Sequence, residues 1–249
     1  MSTNSAMSAL MQLMESGDFS DLTFSCNDMT FSVHKAIVCG QSPVIRAAIS
    51  GNFEESQTNV ILMHAFEPET VRRLVQFLYT GDYSASSDAS TGDGDNPVQG
   101  ASPHSNHDVP KEEEHSSLPQ ETNTIRSLND HIKVNSIGDY YGVTKLVSLA
   151  NEKISAVFLA GQMKSDKALV QSIPAATKFM FASTGDNELV DILSRQTAAN
   201  ISTLRFSDDF KNLEAVSDYS LRIMGHLDDI AATDRCKTAL LNFDATSIT

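Results

Sequence analysis

The sequence predicts an α+β fold with an all-helical C-terminal extension and an internal disordered acidic insert. Three observations predict it. Short strand patterns alternate with helical stripes between residues 17 and 83, the hydrophobic period after residue 125 is helical throughout, and the polar stretch between them cannot support a core. The chain has 249 residues and 27.0 kDa, enough for one large domain or two small ones.

The elements follow in order. Leu22-Thr23-Phe24 and Met29-Thr30-Phe31-Ser32-Val33 alternate across the turn-like Asn27-Asp28, the pattern of a β-hairpin. Ser42-Pro43 opens a helix with proline in its first turn, and Gly51-Asn52 closes it. Val60-Ile61-Leu62-Met63 is a short apolar run between polar flanks, a buried strand. Pro68 and Glu69 open another helix, in which Val71, Leu74, Val75 and Leu78 form one stripe with Arg72, Arg73 and Gln76 outside it. Thr80-Gly81-Asp82-Tyr83 ends it as a strand or turn. Further on, Val134, Ile137 and Tyr141 share a helix face that Gly142 terminates, and Leu146, Ala150, Ile154 and Val157 stack on the next helix. From Ser165 the chain reads as short helices: one around Phe179 and Phe181, one carrying Leu189, Ile192 and Leu193, one behind a Ser207 N-cap, and a last stripe of Tyr219, Ile223 and Leu227.

The stretch Ser84 to Thr122 differs in kind. It holds eight acidic residues and one basic residue, a net −7 and half of the −14 of the whole chain. It also carries four of the seven prolines and no aromatic ring. Such a composition cannot offset roughly 1–2 kcal/mol per residue of backbone ordering, so the segment is read as disordered.

Composition excludes several classes of function. A chain of 18 basic and 32 acidic residues lacks the electrostatic footprint of a nucleic-acid binder, so no nucleic-acid partner is expected. No apolar run is long enough to span a membrane. Cys26, Cys39 and Cys236 stand too far apart for a zinc finger, and without a secretory signal they point to reduced thiols in the cytoplasm, the nucleus or both. Nothing marks an enzyme. His104, His107 and His115 lie near acidic residues, but in a segment that supplies no organised second shell for a metal. No G-x-S-x-G, H-E-x-x-H or phosphate-cradling glycine loop occurs. The expectation is no catalytic residues, no metal and no cofactor.

The N-terminal residues carry a resemblance. Gly17-Asp18-Phe19-Ser20-Asp21-Leu22-Thr23-Phe24, Phe31-Ser32-Val33-His34-Lys35-Ala36-Ile37-Val38-Cys39 and Ser42-Pro43-Val44-Ile45 follow in order, then Gly51-Asn52-Phe53-Glu54-Glu55-Ser56, Phe66-Glu67-Pro68-Glu69-Thr70-Val71 and Leu78-Tyr79-Thr80-Gly81-Asp82-Tyr83. After the insert the pattern resumes with Val134 to Val143, then Leu146 and Leu149-Ala150. Together these resemble a BTB/POZ domain, and the organisation with an insert and a tail is similar to fungal proteins that join a BTB domain to a helical C-terminal region. The resemblance implies a small three-stranded sheet wrapped by helices, and a division of the chain into an N-terminal helix (1–16), a first part of the BTB core (17–83), the acidic insert (84–124), closing helices of the core (125–160) and a helical region (161–245).

The resemblance implies a protein–protein interaction module that self-associates. Met7, Leu10 and Met14 recur at helical spacing, as in the helix that many BTB proteins pack on a dimer partner; the alternative is a terminal helix covering its own core. Asp21 and the His34-Lys35 pair fit charged positions near that interface, either as a paired charge or with Asp21 capping a turn and Lys35 solvated. Phe53-Glu54-Glu55 falls where BTB adaptors of cullin-3 ubiquitin ligases carry a hydrophobic-x-Glu motif; Phe53 is then an exposed anchor and Glu55 a polar rim contact, unless the ring folds inward. The expected partners are proteins: a second copy, and a cullin-3 scaffold. The alternative is a scaffold or transcriptional co-regulator with no ubiquitin role.

Overall fold

The computed structural model describes residues 3–84, 123–213 and 217–246. The acidic insert expected over 84–124 therefore lies outside the described residues, save Ser84, Asn123 and Thr124. The N-terminal layer runs α1 (Thr3–Ser16), β1 (Leu22–Cys26), β2 (Met29–Val33), α2 (Lys35–Gln41), α3 (Pro43–Ser50), α4 (Glu54–Thr58), β3 (Val60–Leu62) and α5 (Pro68–Thr80). Helices follow: α6 (Asn123–Tyr140), α7 (Thr144–Lys164), α8 (Lys167–Ser183), α9 (Asn187–Ala199), α10 (Ile201–Leu204), α11 (Asp208–Lys211) and α12 (Ser217–Thr246).

The three-stranded sheet has the order β2-β1-β3. The hairpin pairs Leu22 with Val33 and Cys26 with Met29, and Asn27 makes its turn with a left-handed φ of 52°. On the other side β1 pairs in parallel with β3, Phe24 opposite Ile61. The alternation of β1 puts Leu22, Phe24 and Cys26 into the core together. Of the apolar run 60–63, Ile61 and Met63 point inward while Leu62 faces out.

Helix α5 departs from the one-stripe pattern. It is buried on more than one face, and Arg73, which the sequence places outside the stripe, is 2% exposed. Helix α6 covers that second face, and its Asp130 meets the Arg73 guanidinium at 2.9 Å while the Ser84 carbonyl accepts from Arg73 Nε. Gly81 ends α5 with φ +77°, and the residues after it form no strand. Two short helices, α2 and α4, fill ground the sequence pattern leaves blank.

The C-terminal region is built from longer helices than its pattern suggests. Helix α8 runs for 17 residues with Pro174 inside it, and α12 for 30. Pro174 is buried among packed helices, so tertiary packing outweighs the lost backbone bond. Ser207 does stand before α11, but its side chain makes no capping bond.

Two hydrophobic cores result, and α6 and α7 serve both. Val134, Ile137, Leu146 and Ala150 pack with the sheet and α5, whereas Leu128, Ile132, Ile154 and Phe158 pack with α8, α9 and α12. In the second core Phe158 does the inward packing expected of Val157 as well, which is only partly buried. Between the cores sits a polar latch. Asn135 and Asn151 each donate to Asp186 Oδ2 at 2.8 Å, and the same carboxylate caps α9 by accepting from Glu188 and Leu189. Asp139 accepts from the Thr184 hydroxyl and the Gly185 amide beside it. No helix among the described residues is long and apolar enough to cross a membrane.

Candidate interaction site

Three groups of residues singled out by the sequence can be placed. On α1, Met14 is half-buried against the N-terminal core, Leu10 is half-buried, and α1 packs on α5 of its own chain. Met7 and Met11 project outward at about 40% exposure. The helix thus covers its own core with one face and offers methionines on the other. Met11 was legible as the i+4 neighbour of Met7.

Asp21, His34 and Lys35 meet at the start of α2. Asp21 Oδ1 accepts from the backbone N–H of Lys35 at 2.7 Å, satisfying an amide that no side chain of the preceding His34 caps. The Lys35 ammonium turns elsewhere, to Asn59 Oδ1 at 2.6 Å. The structure therefore makes Asp21 a helix cap supplied from the residue before β1, not half of an Asp21–Lys35 ion pair. His34 Nε2–H donates to the Asp18 carbonyl, which leaves Nδ1 to accept from the Tyr79 hydroxyl at 2.6 Å. The Tyr79 oxygen in turn accepts from the His34 amide, and burial pushes its phenol above the ordinary value.

Phe53-Glu54-Glu55 lies elsewhere on the domain. Phe53 stands at the N-cap position of α4, and the two glutamates occupy its first turn, where the helix dipole favours them. The Phe53 carbonyl accepts from the Ser56 amide and hydroxyl, so the backbone is held while the ring is left out: Phe53 is 60% exposed. Phe53 and Glu55 border an open groove of about 510 Å³ whose other wall is Pro43, Val44, Ala47 and Ala48 of α3. The ring does not fold inward.

The groove is braced from behind. Ser42 Oγ accepts from the Ile45 amide as the α3 cap and donates to the Tyr141 carbonyl. Gly142, at φ +66°, brings the α6–α7 turn against Pro43. Burial foremost, with Tyr140, Cys26 and Glu55 adding to it, drives the Tyr141 phenol far above its ordinary value. The α3 wall escaped the sequence reading because Pro43, Val44, Ala47 and Ala48 look like an ordinary helix surface; the outward Val44 beside the buried Ile45 was the available signal.

Among the described residues no group of three or more His, Cys, Asp or Glu side chains could hold a metal ion. His104, His107 and His115 lie outside those residues. Cys26 and Cys39 are free thiols, and burial raises both above the ordinary thiol value.

A three-stranded sheet of order β2-β1-β3 wrapped by helices is the architecture expected of the BTB/POZ class. The BTB/POZ family profile matches residues 10–92, so the chain carries a BTB/POZ domain. Relatives match about a third of the chain. TD and POZ domain-containing protein 4 of Mus musculus is 34% identical over 70 residues, 28% of this chain and 19% of that protein. Rho-related BTB domain-containing protein 2 of Homo sapiens is 31% identical over 77 residues, 31% of this chain and 11% of the relative. Kelch-like protein 21 of Rattus norvegicus is 31% identical over 85 residues, 34% of this chain and 14% of the relative. The chain thus spans less than a fifth of each of these relatives.

Proposed function

We propose that this protein is a non-enzymatic adaptor that self-associates through its BTB/POZ domain and offers the α3–α4 groove to a cullin-3 ubiquitin ligase scaffold. The observation that carries this reading is Phe53: an aromatic side chain 60% exposed, on a held backbone, beside Glu55 and an apolar helix wall. A ring in that setting gains most of its burial only when a partner covers it, which is the energetic profile of an interface anchor. Self-association draws support from the outward methionines of α1, Met7 and Met11. On this reading the protein works in the cytoplasm, the nucleus or both.

The test is capture of the full chain by a cullin-3 N-terminal domain. Phe53→Ala and Glu55→Ala should each reduce capture, by tenfold or more for the ring, or about 1.4 kcal/mol. Equal capture by the wild type and both variants overturns the cullin assignment and leaves a scaffold or transcriptional co-regulator without a ubiquitin role. Light scattering checks self-association; a monomer at micromolar concentration ends that part of the proposal.

A further inference from the structure

The helical region carries a second recess, far from the α3–α4 groove in sequence and built from different elements. It measures about 500 Å³ and lies where α7, α8, α9 and α10 meet. Its floor is Phe158, Leu169 and Ile173, all members of the second core. Its walls include three amides: Gln162 donates to Gln196 Oε1 at 3.2 Å, and Asn200 donates to the Gln196 carbonyl. An apolar floor under a rim of amide groups suits a side chain entering from an extended peptide whose backbone needs donors and acceptors.

The surroundings say what kind of peptide. Met163, next to Gln162, is 83% exposed, and Phe206, one turn beyond the rim residue Thr203, is 69% exposed. Lys167 lines the recess, Lys164 precedes the lining residue Ser165, and Arg205 follows the lining residue Thr203 by two positions; all three are exposed. Elsewhere among the described residues eight cations pair with carboxylates of the chain, as in Arg72–Glu69, Lys133–Glu67, Lys153–Asp82, Arg195–Asp191 and Arg222–Asp218, while Lys35 and Arg46 bond to amide and backbone oxygens. None of these three has a carboxylate partner among the described residues, and Arg205 lies only over the Phe206 ring. Asp166, which also lines the recess, is occupied in capping α8 through the Leu169 amide.

We propose that this recess binds a linear segment of a partner protein in which a large apolar residue lies within a few positions of Asp or Glu. The apolar side chain fills the space over Phe158, Leu169 and Ile173, and the carboxylate meets Lys164, Lys167 and Arg205. This rests on the reading of the protein as an interaction module but not on the cullin assignment, and the test below uses no cullin, so the two fail separately.

The experiment pans a random linear-peptide library on phage against the full chain, with two variants as controls. Lys164→Glu with Lys167→Glu reverses exposed charges, and Thr203→Trp fills the mouth from an exposed position, so neither disturbs the core. Enriched peptides should combine a large apolar residue with a nearby acid. The charge reversal should weaken them about tenfold or more, with a wild-type affinity that falls as salt is added, and Thr203→Trp should abolish binding. Enrichment of peptides lacking acids, or peptides that bind both variants as well as the wild type, overturns the proposal. Binding that emerges only when residues 85–122 are deleted also overturns it, since the occupant is then the chain's own acidic segment.

Discussion

The Phe53 ring lies over Gly51 so closely that a Cβ on the glycine would stand 2.6 Å from the ring's Cδ2. The glycine thus sets the angle at which the ring leaves the domain surface. Gly51→Ala should swing Phe53 aside and reduce cullin capture even though the ring itself is unchanged. Phe53→Ala should change the unfolding free energy from urea titration by no more than ~0.5 kcal/mol, because the ring contributes little to the core. Phe24→Ala, at the centre of the sheet and fully buried, should cost ~3–5 kcal/mol in the same assay. Equal losses for the two phenylalanines would show that Phe53 is a core residue.

Asp21 offers a cleaner separation of capping from charge pairing. Asp21→Ala should cost ~1 kcal/mol, the ordinary worth of a helix cap. Since the carboxylate meets the Lys35 amide and the ammonium goes to Asn59, a double-mutant cycle of Asp21→Ala with Lys35→Met should show coupling below ~0.5 kcal/mol. Coupling of ~1 kcal/mol or more would restore the ion pair.

Asp186 holds the two layers together, and its removal should be felt across the molecule. Asp186→Ala leaves the buried Asn135 and Asn151 amides without their shared acceptor and uncaps α9. The expected loss is ~2–4 kcal/mol in urea unfolding. Asp186→Asn keeps an acceptor oxygen at the site and should lose less. A loss below ~1 kcal/mol for the alanine variant would mean that the latch is decoration on an interface held by apolar packing alone.

Stability at high pH follows from the tyrosines. Burial is the leading cause that raises the phenols of Tyr79, Tyr83, Tyr141 and Tyr219 above the ordinary value of 10.0. The unfolded chain releases these protons first, so their contribution is complete below that value and is lost as pH rises towards the folded values. Phenolate absorbance of the native protein should lag that of the chain in urea, and the unfolding midpoint should fall through the alkaline range. Superimposable titrations of native and unfolded chain would contradict the burial of these rings.

Much of the fold was legible because it rests on repetition. The alternation of 22–24 and 29–33, the stripe of α5 and the stop at Gly142 are periodic or capping signals, and each maps onto an observed element. What escaped was set by single contacts between distant residues. Arg73 looked like a surface residue until α6 brought Asp130 to it across 57 positions. The Asp186 latch joins residues 35 and 51 positions apart, and no local pattern announces such a bond. Its capping role was readable, since Asp186 stands just before the helical stripe that begins at Leu189. At the site, Phe53 and Glu55 were readable as a motif, whereas the α3 wall needed the fold to turn four ordinary residues into one surface.

Because α6 and α7 lend one end to each core, the polypeptide has no natural cutting point between its layers. A chain severed after residue 160 would bare Leu128, Ile132, Ile154 and Phe158 to water, a continuous greasy strip on two adjacent helices. Melting should accordingly proceed as one event, with no plateau in which one layer survives the other. The helical tail is thus a tenant with which the N-terminal layer shares its walls.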